Sequence, residues 1–343
     1  MESGTFPAWS VTNMSIAENV YSMMLENTKC NDVESDTESM TSSLSCLQNK
    51  TTEELFYASS LIVPLTGGYF LDYAPTIDGV EATTHPWISL SQGIIADKPL
   101  LYGFNRDEGA AFTTLLPNAT EQDLIQYWQD GGFTTQDEID TMLSIYIDNM
   151  EYPIEPLGYS KYWWASSRST GDIDFSCPAK YTSQLLSSFT SRNSINQTYV
   201  YYFAHLTNGS SFVKHTYELT YVFHLFNEYL SQHGNMKDKT MSEKMSNYWG
   251  SFFFSNDHNP NELEFNHPFS NLKKNDNKNK EEGEEEKGDD DSIHRGVWPH
   301  YTLEGDEIAY LLNTSKTTVL KGLKKAECDF LIPILDNVIR TNF

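Results

Sequence analysis

Apolar residues run along this chain in two rhythms. A helical period follows Ser15-Ile-Ala-Glu18, a capping-box pattern, and predicts a helix to about Glu26. Further helices are predicted at Thr52 to Ala58, Thr120 to Asp130, Thr135 to Asp148 and Cys177 to Phe189. A second capping-box pattern, Thr240-Met-Ser-Glu243, opens a stretch with Met245, Tyr248, Trp249 and Phe252 on one helical face. Two segments read instead as strands. Pro99 to Phe104, PLLYGF, is short, apolar and flanked by turn formers. Thr198 to Leu206, TYVYYFAHL, is β-branched and aromatic almost throughout. Ser60 to Leu71 is apolar and aromatic and passes into a looser segment, Asp72 to Gly79. Lys273 to Ser292 holds no apolar residue and cannot offset its own ordering entropy, so a disordered surface insertion is expected there.

Strands alternating with helices predict an α/β fold with a largely parallel sheet. In such sheets the reactive groups sit on loops after the carboxyl ends of strands. Two loops qualify. One carries Glu108, just past Phe104, and the other carries His215, past Leu206.

Composition narrows the function classes. Among 343 residues the net charge is −25, and the run Glu281 to Asp291 accounts for only part of it. Such a surface lacks the basic patches that nucleic acid or anionic lipid requires, so no nucleic-acid partner is expected. No run of apolar residues is long enough to span a membrane. Residues 1–13 lack the basic and apolar regions of a signal peptide. Aromatics at 13% exclude a wholly disordered chain. The four cysteines, Cys30, Cys46, Cys177 and Cys328, form no CxxC and allow three disulfide pairings or four free thiols. Six Asn-x-Ser/Thr sequons occur, close to the roughly five that chance supplies, and they decide nothing about secretion.

A carboxylate and a histidine on neighbouring strand-end loops are two members of a nucleophile–histidine–acid triad. Imidazole accepts a proton near neutral pH, and the carboxylate fixes its tautomer and stabilises the imidazolium. The order Glu108 then His215 is that of the α/β-hydrolases, whose serine comes first, in a G-x-S-x-G elbow. No Ser of this chain has Gly two positions away on both sides, and no HGG-type oxyanion loop occurs. With nine His and 48 acidic residues, a surface acid and a structural histidine are the plain alternative.

The motifs resemble, in order, the C-terminal part of the type-B carboxylesterases, the cholinesterase-like branch of the α/β-hydrolases. Met1-Glu-Ser-Gly4 resembles the family's "ESG" segment. Cys30 to Cys46, ending in CLQNKTTEEL, resembles its small disulfide loop, and Tyr73-Ala-Pro-Thr-Ile-Asp-Gly79 its "PVIDG". Gly103-Phe-Asn-Arg-Asp-Glu-Gly109 is similar to "GxNxDEG", and Asp174-Phe-Ser-Cys-Pro178 to "DxxFxCP". His215-Thr-Tyr-Glu-Leu219 with Val222-Phe223 resembles "HGxEL…VF". Met245 to Phe252, Asn259-Pro260, Trp298-Pro299 and Cys328 complete the series, which covers the chain except Lys273 to Ser292. Thr216 and His224 stand where the family usually has Gly.

The resemblance implies one type-B carboxylesterase domain over 1–343 with an insertion at about 273–292. The α/β-hydrolase fold is incomplete, because the N-terminal strands and nucleophile elbow have no counterpart. It implies Glu108 as triad acid and His215 as triad base, with the nucleophilic Ser not in this chain. It implies disulfides Cys30–Cys46 and Cys177–Cys328, a secreted or secretory-pathway protein, no cofactor or metal, and a small-molecule carboxylic ester as substrate once an N-terminal half completes the site. The alternatives are a non-catalytic cholinesterase-like adhesion domain and an inactive truncated product. Adhesion-type members tend to lose triad residues, whereas this chain keeps both that it could keep.

Overall fold

The structure, a computed structural model, describes residues 2–31, 39–62, 74–153, 157–189, 197–225, 234–261, 297–304, 309–313 and 318–343. The expected insertion at 273–292, much of the apolar stretch 60–71 and Tyr73 lie outside these residues. The chain divides into two compact units.

The smaller unit comprises 6–94 and 335–343. A two-residue strand β1 (Thr12–Asn13) leads into α1 (Met14–Thr28) and pairs in parallel with β2 (Thr76–Ile77). The cap of α1 is Asn13, not the expected Ser15. Asn13 is still extended, and its side chain accepts from the Ile16 amide at 3.0 Å, so the chain turns directly out of the strand. The helix ends at Lys29 in the left-handed conformation, with the Cys30 amide donating back to Leu25 at 2.8 Å. Cys30 is disulfide-bonded to Cys46, in the last turn of the short helix α2 (Ser39–Gln48). Thr51 and Glu54 cap each other reciprocally at the start of α3 (Thr52–Ser60). The helix α4 (Pro86–Ser91) begins with Pro at its first position, where the missing N–H costs nothing.

The larger unit comprises 1–5 and 95–334. Its sheet has the order β3 (Leu100–Asn105), β4 (Thr198–Phe203), β5 (Ala309–Leu312) and β6 (Thr318–Leu320). The first three strands are parallel and the last is antiparallel. The register sets Leu100 beside Thr198 and Asn105 beside Phe203, so β3 and β4 end side by side. At Gly103 a Cβ would stand 2.1 Å from the Tyr201 carbonyl, so the two strands pack as they do only with glycine there.

Between β3 and β4 run α5 (Glu121–Asp130), α6 (Gln136–Leu143), α7 (Lys161–Gly171) and α8 (Cys177–Ser188). Capping boxes at Thr120 and Thr135 open α5 and α6, as their sequence pattern implies. Past β4 come α9 (Leu219–Val222), α10 (Met236–Phe254) and the first part of α11 (Lys325–Asn342). Cys177, at the head of α8, is disulfide-bonded to Cys328 of α11.

Two expectations shift here. The helix α10 starts at Met236, one turn before the predicted Thr240. Asn235 accepts from the amides of Lys237 and Asp238 while Asp238 accepts from the Asn235 amide, which makes a complete capping box upstream. The strand β4 ends at Phe203, short of Leu206, because His205 turns inward to meet Asp238 at 2.7 Å. The core packs the aromatic faces of β4 and β5, Tyr199, Tyr201, Phe203 and Tyr310, against Met241, Met245, Tyr248, Trp249 and Phe252 of α10. Those last residues form the apolar face that the helical period marked out.

Candidate active site

The site lies at the carboxyl ends of β3 and β4. As β3 ends, Asn105 leads into a tight turn, and Glu108 opens a one-turn 3₁₀ segment, Glu108–Ala111. The Arg106 amide donates to the Phe203 carbonyl at 2.9 Å, which extends the strand pairing into this turn. The chain leaving β4 then returns, and the Asp107 amide donates to the Val213 carbonyl at 2.9 Å. His215 follows two residues later. The loop of each residue therefore emerges at the same sheet edge, although 107 positions separate them.

Glu108 and His215 meet. His215 Nδ1 lies 2.8 Å from Glu108 Oε2. A carboxylate only accepts hydrogen bonds, so this contact favours the proton on Nδ1, and in the neutral ring Nε2 keeps its lone pair. The other oxygen, Oε1, accepts from the Asn105 amide at 2.6 Å, which fixes the carboxylate in the turn. Glu108 is 2% exposed. Its glycine neighbour, Gly109, sits against the backbone of α7, with the Ser167 carbonyl where a Cβ would be. Phe112 and Phe175 flank the imidazole with ring centroids at 5.1 and 4.8 Å.

A second carboxylate stands behind the pair. Glu218 is buried and takes hydrogen bonds from Asn105 Nδ2 and, at 2.8 Å, from Ser3 Oγ. Asn105 Nδ2 also donates to the Lys214 carbonyl at 3.0 Å. Ser3 is held by its amide, which donates to the Tyr201 hydroxyl at 2.9 Å. Burial pushes the Glu218 carboxyl up to about 7, and the Glu108 charge pushes the same way against the hydrogen bonds from Asn105 and Ser3. For His215, burial opposes the imidazolium. The hydrogen bond and charge of Glu108, with the charge of Glu218, outweigh it, and the pKa lies above the ordinary histidine value.

The structure holds a second histidine–carboxylate pair, His205 with Asp238, and exposure separates the two. The His205 side chain is 5% exposed and that of His215 27%. Burial lowers the His205 pKa, and its Nε2, the nitrogen turned to Asp238, is engaged. Of the two, only the His215 imidazole is open to solvent. Behind Glu108 a cavity of about 10 Å³, lined by Asn105, Arg168, Asp172 and Lys324 among others, has room for a single water and not for a substrate.

Sequence reasoning singled out Glu108 and His215 and passed over Ser3, Asn105, Asp107 and Glu218. All four lie inside the quoted segments ESG, GFNRDEG and HTYEL, which was the signal available for them. Thr216 and His224 have φ of 73° and 53°, so the backbone there keeps the left-handed conformation that glycine adopts freely. Among the described residues no group of three His, Cys, Asp or Glu could hold a metal ion, and no helix is long and apolar enough to cross a membrane.

The cholinesterase of Mus musculus is 23% identical over 96% of this chain and 50% of its own length. Acetylcholinesterase 1 of Caenorhabditis elegans is 24% identical over 78% of this chain and 42% of its own length. Cholinesterase 2 of Branchiostoma lanceolatum is 30% identical over 42% of this chain and 43% of its own. The chain thus spans about half the length of the curated relatives it matches. The model of the carboxylesterase family matches residues 1–331, which take in both strand-end loops, and the chain belongs to that family, with the α/β-hydrolase fold that membership implies.

Proposed function

We propose that this chain is the C-terminal portion of a serine carboxylic-ester hydrolase, in which Glu108 and His215 are the acid and base of a Ser-Glu-His triad. The observation that carries the reading is the 2.8 Å contact between His215 Nδ1 and Glu108 Oε2 at the ends of two adjacent parallel strands. The nucleophilic Ser and the oxyanion donors come from a segment outside these 343 residues. Two features support this division. The chain covers about half of its relatives, and β3 pairs on one side only among the described residues, which leaves a parallel edge for a further strand. Retention of both triad members in hydrogen-bonded geometry weighs against a purely adhesive role.

With the proton on Nδ1, His215 Nε2 takes the proton of the serine hydroxyl as that oxygen attacks the ester carbonyl. The imidazolium that forms is stabilised by Glu108, and it then protonates the leaving alcohol. Water repeats the cycle to release the acid. The substrate class is a small carboxylic ester, and two disulfides fit passage through the secretory pathway. Hydrolysis of a nitrophenyl ester tests the reading. The purified chain is expected to show no saturable activity. A longer polypeptide that includes an in-frame G-x-S-x-G is expected to hydrolyse the ester, and His215→Ala to lower its kcat by about 10³-fold or more. Saturable hydrolysis by the 343-residue chain, abolished by His215→Ala, would overturn the assignment of the serine to another segment. An active longer enzyme indifferent to His215→Ala would overturn the triad.

A further inference from the structure

We infer that Asp107 is a positioning residue that fastens the loop of Glu108 to the loop of His215. The inference rests on the reading of those two residues as acid and base. A single hydrogen bond joins their side chains, and on its own it cannot fix two loops that far apart in the chain. Asn105 adds one bond to the Lys214 carbonyl, and Asp107 adds two to a single residue. Its amide donates to the Val213 carbonyl at 2.9 Å, and its Oδ2 accepts from the Val213 amide at 2.9 Å. Both backbone polar groups of one residue, two positions before His215, are thereby held by the residue directly before Glu108.

The clamp is itself anchored. Arg168 Nη2 on α7 lies 2.6 Å from Asp107 Oδ1, while Arg168 Nη1 donates to the Arg106 carbonyl at 2.8 Å. Arg106 Nε and Nη2 each approach Asp107 Oδ2 at 3.0 Å. The Asp107 side chain has no exposed surface, and these guanidinium groups are its charged partners. A buried carboxylate held from both sides has one orientation, and that orientation sets where Val213 and hence His215 stand. Asp107 touches neither reactant nor imidazole and acts only through the placement of His215.

The test uses the complete 343-residue chain with isotopically labelled histidine, and reads the tautomer and pKa of His215 by NMR from about pH 5 to 9. In the unaltered chain the Nδ1–H tautomer dominates. Glu108→Gln lowers the His215 pKa and sets the scale of the pair's contribution. Asp107→Ala is expected to lower it by at least half as much and to make Nε2–H the major tautomer. Asp107→Ala leaves Arg168 without its carboxylate and can fail to fold. Asp107→Asn then reads the same question, since an amide offers one acceptor where two are used, and the same direction of change is expected. A variant with native near-ultraviolet circular dichroism and an intact Cys177–Cys328 bond that keeps the original tautomer and pKa would overturn the role of Asp107. If Glu108→Gln also leaves His215 unchanged, the acid–base reading itself fails, a result distinct from failure of Asp107 alone.

Discussion

Ser3 Oγ donates to Glu218 Oε1 at 2.8 Å across 215 positions of sequence. The same carboxylate receives Asn105 Nδ2, whose backbone amide holds Glu108. One buried acid therefore joins the start of the chain, the end of β3 and the helix start after His215. Its elevated pKa makes it a partly protonated group at neutral pH in a site that also carries the Glu108 charge.

The linkage sign follows from that elevation. A carboxyl raised in the folded state binds more protons than in the unfolded chain between its ordinary value and about 7. Stability falls as pH rises through that window and is level above it. We expect Glu218→Gln, which cannot ionise, to gain on the unaltered chain by about 3 kcal/mol between pH 4.5 and 7.5. Urea unfolding of both proteins across this range checks it. The raised His215 works in the same direction, its contribution being lost as pH climbs through its folded pKa, and because the Glu218 charge is one cause of that elevation the substitution weakens this contribution too. Parallel pH profiles would show that folding does not raise the Glu218 pKa.

Much of the site was legible because its signals are local. The apolar stretch ending at Phe104 and the aromatic run from Thr198 marked two strands, and each was followed by a polar loop bearing one member of the Glu108–His215 pair. The network around the pair was not legible. Ser3, Glu218 and Asn105 come together only through the parallel register of β3 and β4 and the packing of Tyr201, and no periodicity encodes such contacts. Capping was misread by one turn at Thr240 and by two residues at Ser15. In both places an upstream Asn, already extended, captured the helix amides first.

Thr216 offers a stability test in the loop of His215. Its φ of 73° places a β-branched residue where the chain crowds its Cβ, and the side chain is exposed. Relief of that crowding is worth roughly 1–2 kcal/mol, less the extra freedom glycine gives the unfolded chain. Thr216→Gly is therefore expected to stabilise the protein by about 0.5–1 kcal/mol, and Thr216→Ala, which keeps a Cβ, by little or nothing. Equal effects of the two substitutions in chemical unfolding would show that the left-handed backbone is not the source.

The two disulfides should differ in weight. Cys30–Cys46 spans 16 positions and Cys177–Cys328 spans 151. In the chain-entropy description the short loop is worth about 3 kcal/mol and the long one about 5 kcal/mol. Paired Cys→Ala substitutions should follow that order in urea midpoints. Peptide mapping without reductant checks the pairing independently, and a Cys30–Cys177 peptide would contradict the structure.

Gly109 is the position where a single methyl group should do most harm to the site. It follows Glu108 directly, and a Cβ there would stand 1.9 Å from the Ser167 carbonyl and 2.7 Å from the Gly171 amide. Both obstacles are backbone of α7, so no side-chain rotation can relieve them. Either the helix or the turn must move, and α7 is held from α5 by Trp128 Nε1, which donates to Ser169 Oγ at 2.9 Å. The turn is the element that yields, and it carries the Glu108 carboxylate away from His215. Gly109→Ala should cost about 3 kcal/mol or more in urea unfolding. In whatever fraction remains folded, the His215 pKa should drop, because burial of the ring persists while its acceptor recedes. Gly131 is the natural control, since a Cβ there meets its nearest neighbour at 3.3 Å and has solvent on its other side. Gly131→Ala should change stability by well under 1 kcal/mol and leave the histidine titration alone. Equal losses for the two alanines would mean that the contact between the Glu108 turn and α7 is looser than these distances imply.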